Sequence, residues 1–161
     1  VRLGVKREHI LMCDSKGVIF QGECRMEDVP AVNSNDFMVY YPGEGYADVI
    51  GIDGYNWGTS QPWSGWMSFA QIFGGIYRRI SIAFPEKPVI ITEFGSSSSG
   101  GDKSRWIIDA LDEMKKMPRI KGFVLFNVDK ETDWSFPAFS DAGKALKKGL
   151  EDRYFTSEYI L

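Results

Sequence analysis

The run Val89-Ile90-Ile91 constrains the fold more than any other stretch of this 161-residue chain. Pro88 precedes it. Proline lacks an N–H, so it is tolerated at the first position of a strand but not inside a central one. The three β-branched residues show no polar alternation. The pattern therefore predicts a strand covered on both faces, as in a parallel sheet flanked by helices. The strand ends near a carboxylate, Glu93, and the chain then breaks into a Ser/Gly loop, Ser96 to Gly101. Asp102 stands at a predicted helix N-cap, ahead of Arg105-Trp106-Ile107-Ile108. A carboxylate at the C-terminal end of a parallel strand lies on the face where α/β barrels keep their active sites. Taken alone, Glu93 reads equally well as an ordinary strand-end charge.

The same unit recurs on either side. Val49-Ile50-Gly51-Ile52 is a second apolar run, and it ends in Asp53-Gly54-Tyr55-Asn56-Trp57-Gly58. Trp66, Phe69, Phe73, Ile76, Tyr77 and Ile80 follow at helical spacing and form a core-facing stripe. Pro85 and Pro88 close that helix. Trp106, Ile107, Ala110, Leu111 and Met114 form a second stripe, ended by Pro118. A third strand spans Ile120 to Phe126, and Asn127 opens a polar loop to Trp134. A last helix is expected over Ala138 to Leu150, with Ala142, Ala145, Leu146 and Leu150 inward, and the aromatic tail from Tyr154 is expected to pack on the body. Strands alternating with helices mean βαβ units and an α/β fold with a parallel sheet. Right-handed crossovers then bring Glu93, the Tyr55-Asn56-Trp57 group and the Asn127 to Trp134 loop to one rim. Polar groups beside Trp57, Trp63 and Trp134 suit a carbohydrate cleft, because flat rings stack on sugar faces while polar tips hydrogen-bond hydroxyls.

Residues 1–32 are a separate, less legible segment, read as a hairpin or a cap. Ile10 to Cys13 and Val18 to Phe20 flank a turn at Asp14-Ser15-Lys16-Gly17. Glu8, His9, Glu23 and Glu27 show no recognisable arrangement, and Cys13 and Cys24 either pair or stay free. The net charge of −3 gives no nucleic-acid footprint and no electrostatic membrane anchor. No apolar run is long enough to cross a bilayer. Neither GxGxxG, a Walker loop nor a metal-ligand cluster occurs, so no cofactor and no metal is expected.

Several of these motifs together resemble the C-terminal half of glycoside hydrolase family 26: Tyr40-Tyr41-Pro42-Gly43, Ile50 to Gly58, Ile91-Thr92-Glu93-Phe94-Gly95-Ser96, Gly101-Asp102-Lys103 with Trp106-Ile107, and Phe126-Asn127 with Lys130-Glu131-Thr132-Asp133-Trp134. That family contains β-1,4-mannanases and some mixed-linkage glucanases, and it folds as a (β/α)8 TIM barrel. The resemblance covers roughly residues 33–150. It implies a partial barrel of about strands five to eight with their helices, over residues 33–161. It also implies retaining hydrolysis, with Glu93 as the nucleophile and Tyr55 hydrogen-bonded to it. Trp134 would be the platform of the −1 sugar, and Asn56, Trp57 and Asn127 would contact substrate.

Retaining hydrolysis needs a second carboxylic acid about 5–5.5 Å from the first. In the family it follows a His on the fourth strand. No such pair occurs here, and Glu8-His9 has the reverse order. A whole barrel takes about 200–400 residues, so the chain reads as half of one. Its open strand edges would be hidden by self-association or by residues 1–32 folding back. The expected partner is a β-linked polysaccharide such as mannan, glucomannan or β-glucan, and the expected location is outside the cell. A non-catalytic β-glycan-binding remnant using Trp57, Trp63 and Trp134 is the competing expectation.

Overall fold

The computed structural model describes residues 10–13 and 37–155. Glu8, His9, the turn at 14–17, Glu23, Cys24, Glu27 and the tail beyond 155 lie outside the described residues, as does any Cys13–Cys24 pairing. After the strand β1 (Ile10–Cys13) and a short 3-10 turn at Phe37–Tyr40, strands and helices alternate. They are β2 (Val49–Asn56), α1 (Phe69–Ala83), β3 (Val89–Ser96), α2 (Lys103–Lys115), β4 (Ile120–Leu125) and α3 (Asp141–Leu150). The four strands form one parallel sheet in the order β1-β2-β3-β4. Each new strand is added on the same side of the last. That is the single winding of a (β/α)8 barrel, of which this is a sector, and not the reversal of a doubly wound sheet. β1 lies inside the segment read from sequence as a hairpin or cap, yet it pairs in parallel with β2, Ile10 beside Val49.

The helix layer packs on one face of the sheet. Ile50, Ile52, Val89, Ile91 and Phe94 interlock there with Phe69, Phe73, Ile76, Ile80, Trp106, Ile107 and Leu111. Gly54 lets α1 approach: a Cβ at this position would lie 2.6 Å from Ile72 Cγ2. α1 starts at Phe69, behind a capping box in which Ser68 accepts from the Gln71 backbone N–H while the Gln71 side chain accepts from the Ser68 N–H. Trp66 therefore belongs to the loop and not to the helix stripe. Asp102 caps α2 as its sequence suggests. α3 begins three residues later than expected, behind Ser140, whose side chain accepts from the Gly143 backbone N–H. Leu150, expected inward, is 38% exposed at the end of α3.

One irregularity decides what the sheet presents on its other face. Between Ile52 and Asp53 the β2–β3 register jumps, so that Ile52 faces Ile91 but Asp53 faces Glu93. The β3–β4 register jumps over the same stretch, from Ile91–Phe123 to Phe94–Leu125. Both neighbours thus place one extra residue on β3 at Thr92 or Glu93. Burial says the same: Ile91 and Phe94 are each 0% exposed, a spacing of three where a regular strand has two. This is a β-bulge, a device that re-aims side chains.

Candidate active site

Tyr55 and Asp53 alternate with Gly54 and Asn56 along β2, so they point away from the helices. In an unbroken β3, Glu93 would sit level with Gly54 and point into the helix layer. The bulge turns it to the face of Tyr55. There the Tyr55 hydroxyl donates to Glu93 Oε2, and both residues are half-buried. Burial first, then the hydrogen bond and charge of Glu93, push the Tyr55 phenol far above its ordinary pKa. Tyr55 therefore stays a protonated donor. It holds the Glu93 carboxyl group in place at the C-terminal rim of the sheet.

Asn56 does not line the cleft as expected. It is 0% exposed and points to the helix side. Its Nδ2 donates to Ser96 Oγ at 2.9 Å, and its Oδ1 accepts from the backbone N–H of Gly58 at 3.2 Å and of Met67 at 2.9 Å. Ser96 Oγ in turn donates a hydrogen bond to Ser97 O. The amide of Asn56 is thus a buried junction tying the β2–α1 loop to the end of β3. Gly58 is part of the same junction. It sits at φ +55°, and a Cβ there would strike Ser99 O, while Thr59 N–H donates to that same oxygen at 3.0 Å.

Trp134 also departs from its expected part. It is 1% exposed. Its ring centroid lies 4.9 Å from Tyr55 and, edge-on, 4.7 Å from Trp57. Its Nε1 donates to Glu131 Oε2 at 3.3 Å. A ring this enclosed backs Tyr55 and offers no flat face to a sugar. The outer ring of the cluster is Trp63, which is 70% exposed and stands edge-on against the half-buried Trp57 at 5.3 Å. Asn127 is exposed, and its Oδ1 accepts from Phe136 N–H at 2.7 Å, pinning the far end of the same loop.

Lys103 went unnoticed as a site residue because a Lys in a helix's first turn carries no signal of burial. Its ammonium is buried and donates to Asp133 O at 2.9 Å and Ser135 O at 2.8 Å, over the Phe136 ring. Burial pushes its pKa down, against the pull of Asp133. Lys103 thereby clamps the Trp134 loop to the start of α2. Lys103→Met is expected to leave both carbonyls without this donor and to lower stability by about 2 kcal/mol or more, as read by urea unfolding. An unchanged midpoint would show that the loop holds without the clamp.

This loop carries two carboxylates, of which Glu131 lies close enough to act on Tyr55. Lys130 beside Glu131 holds its carboxyl below the usual range. Burial raises Asp133, but the Ser135 hydroxyl, Lys103 and Ser98 together bring it below its ordinary value.

No protein-family model matches the chain. Over 120 residues it is 39% identical to Endoglucanase H of Acetivibrio thermocellus, a match that takes in 73% of this chain and 13% of that protein. Among solved structures, the GH26 domain of an endo-beta-mannanase/endo-beta-glucanase from Prevotella bryantii superposes with a TM-score of 0.45 at 18% identity, over 73% of this chain and 28% of that one. A beta-glucosidase from Exiguobacterium marinum gives a TM-score of 0.43 at 16% identity, over 76% of this chain and 34% of that one. Over the matched stretch the chain is similar to Endoglucanase H, and it spans only a small part of the length of that curated relative.

Proposed function

We propose that this chain carries the nucleophile half of a retaining β-glycan hydrolase of glycoside hydrolase family 26, acting on β-1,4-mannan or glucomannan. Mixed-linkage β-glucan is the alternative substrate. The observation that carries this reading is the Tyr55–Glu93 hydrogen bond on the face of a parallel sheet opposite the helices, at the strands' C-terminal ends. In this reading ionised Glu93 attacks the anomeric carbon, and the bond from that carbon to the leaving oxygen breaks. Tyr55 keeps the attacking carboxylate in line. Trp57 and Trp63 meet the sugar rings, with Trp134 as their backing.

The leaving oxygen also needs a proton. Glu131 and Asp133 suit that task poorly, because both are held in the ionised form. The reading leaves the proton donor to a carboxylic acid other than these two. The exposed Val124 on β4, whose outer edge pairs with none of the named strands, supports association with further chain, including a second copy. Extracellular placement follows from a polymeric substrate. A second reading, a glycan-binding module without catalysis, is favoured by one observation, the exposed ring of Trp63.

A 2-deoxy-2-fluoro-β-mannosyl donor with a dinitrophenyl leaving group separates the two, since that group departs without acid assistance. The expected result is an intact-mass gain of one fluoroglycosyl unit, mapped to the peptide containing Glu93. No adduct, together with calorimetric binding of glucomannan, would overturn catalysis in favour of the binding module.

A further inference from the structure

We propose that Thr92 is the positioning residue that turns Glu93 onto the face of Tyr55, by holding open the bulge in β3. This rests on the reading of Glu93 as nucleophile only for its effect on rate. Thr92 occupies the place where both neighbouring registers lose a residue. Its Oγ1 donates to Ile52 O at 3.2 Å, and Ile52 is the last residue of β2 before the register jumps. The hydroxyl therefore ties the extra residue to the point on the neighbouring strand where regular pairing stops. A strand that closed up by one residue would send Glu93 toward Ile72 and Phe73, which already crowd Gly54. A charged group there would be buried with no partner, so the bulge and the aim of Glu93 stand or fall together. β-Branching at Thr92 also suits an extended backbone. Thr92→Val keeps the shape and removes the hydroxyl, whereas Thr92→Ser keeps the hydroxyl.

The test reads the Tyr55–Glu93 contact directly, in the full chain labelled with 13Cζ-tyrosine and with the Tyr55 signal assigned from Tyr55→Phe. Glu93→Gln defines the shift produced when the carboxylate acceptor is lost. Thr92→Val is expected to move the Tyr55 signal most of the way to the Glu93→Gln position, and Thr92→Ser to leave it at the wild-type position. A Thr92→Val signal at the wild-type position would overturn the proposal. Should Thr92→Val unfold, Thr92→Ala is read in the same way. In the second arm, trapping by the fluoromannosyl donor should slow about 10- to 100-fold in Thr92→Val, with the half-saturating donor concentration unchanged. If the wild type is not trapped, the nucleophile reading fails while the spectroscopic arm still decides the role of Thr92. A Thr92→Val protein trapped at the wild-type rate would overturn the positioning role.

Discussion

Glu93→Ala is expected to abolish cleavage of dinitrophenyl β-mannoside, a loss of about four orders of magnitude or more, while leaving the protein folded. The size follows from the role. A group that forms the covalent bond has no substitute in a water-lined cleft, whereas a group that only orients another is worth far less. Addition of azide should restore release of dinitrophenolate, because a small anion fits the space the carboxylate vacates. The restored product should be the α-mannosyl azide, since the anion then displaces the leaving group once, with inversion. In the proposed reaction the wild type displaces twice and retains the β configuration. Stability should change by about 1 kcal/mol, since the half-buried Tyr55 hydroxyl loses one acceptor near solvent. Cleavage that survives Glu93→Ala without azide would remove Glu93 from the chemistry altogether. Tyr55→Phe gives the scale for orientation alone, and a loss of about 10- to 100-fold is expected there.

The architecture was legible because it depends on patterns that a single sequence carries. Three strand-like runs, two stripes at helical spacing and Asp102 ahead of α2 are each local signals, and their alternation fixes a parallel sheet. The rim was legible in outline for the same reason, since parallel strands put Tyr55, Glu93 and the Trp134 loop at one end. What could not be read is which side of its strand each rim residue faces. The run Val89-Ile90-Ile91 is apolar on both sides, so it carries no alternation that would fix which way the following Thr92-Glu93 points, and a bulge at Thr92 leaves no trace in it. Asn56 and Trp57 are adjacent and look equally suited to touch a sugar. Only the pleat separates them, sending Asn56 into the helix side and leaving Trp57 on the rim. Trp134 fails as a platform for another reason. Its enclosure comes from Tyr55 and Trp57 on distant strands and loops, and long-range packing of that kind has no signature in its own neighbourhood. β1 escaped recognition because a four-residue strand is too short to distinguish parallel pairing from one arm of a hairpin.

The enclosed place of Asn56 leads to the second large effect. Asn56→Leu is expected to lower stability by about 3–5 kcal/mol, read as a fall in the urea midpoint with unchanged slope. Leucine has the same branched skeleton of heavy atoms as asparagine, so the loss comes from hydrogen bonding and not from a cavity. The change leaves the buried N–H of Gly58 and the N–H of Met67 without the oxygen they share, and Ser96 Oγ without its donor. Each buried group left unpaired costs about 1–3 kcal/mol. The damage should also spread along the rim. Met67 O accepts from the Trp106 indole at 2.8 Å, so the junction reaches α2 as well as the loop that carries Trp57 and Trp63. Tryptophan emission should therefore move to the red in Asn56→Leu before global unfolding. Asn56→Asp offers two acceptor oxygens and no donor. It keeps the Gly58 and Met67 bonds but buries a charge against Ser96 Oγ, whose proton already goes to Ser97 O. It should be destabilised at neutral pH and recover in part as the pH falls and the carboxyl takes up a proton that it can donate to Ser96 Oγ. A direct sugar ligand would behave in the opposite way. Asn56→Leu would then unfold within about 0.5 kcal/mol of wild type and show its effect in the concentration of glycan needed for half-saturation.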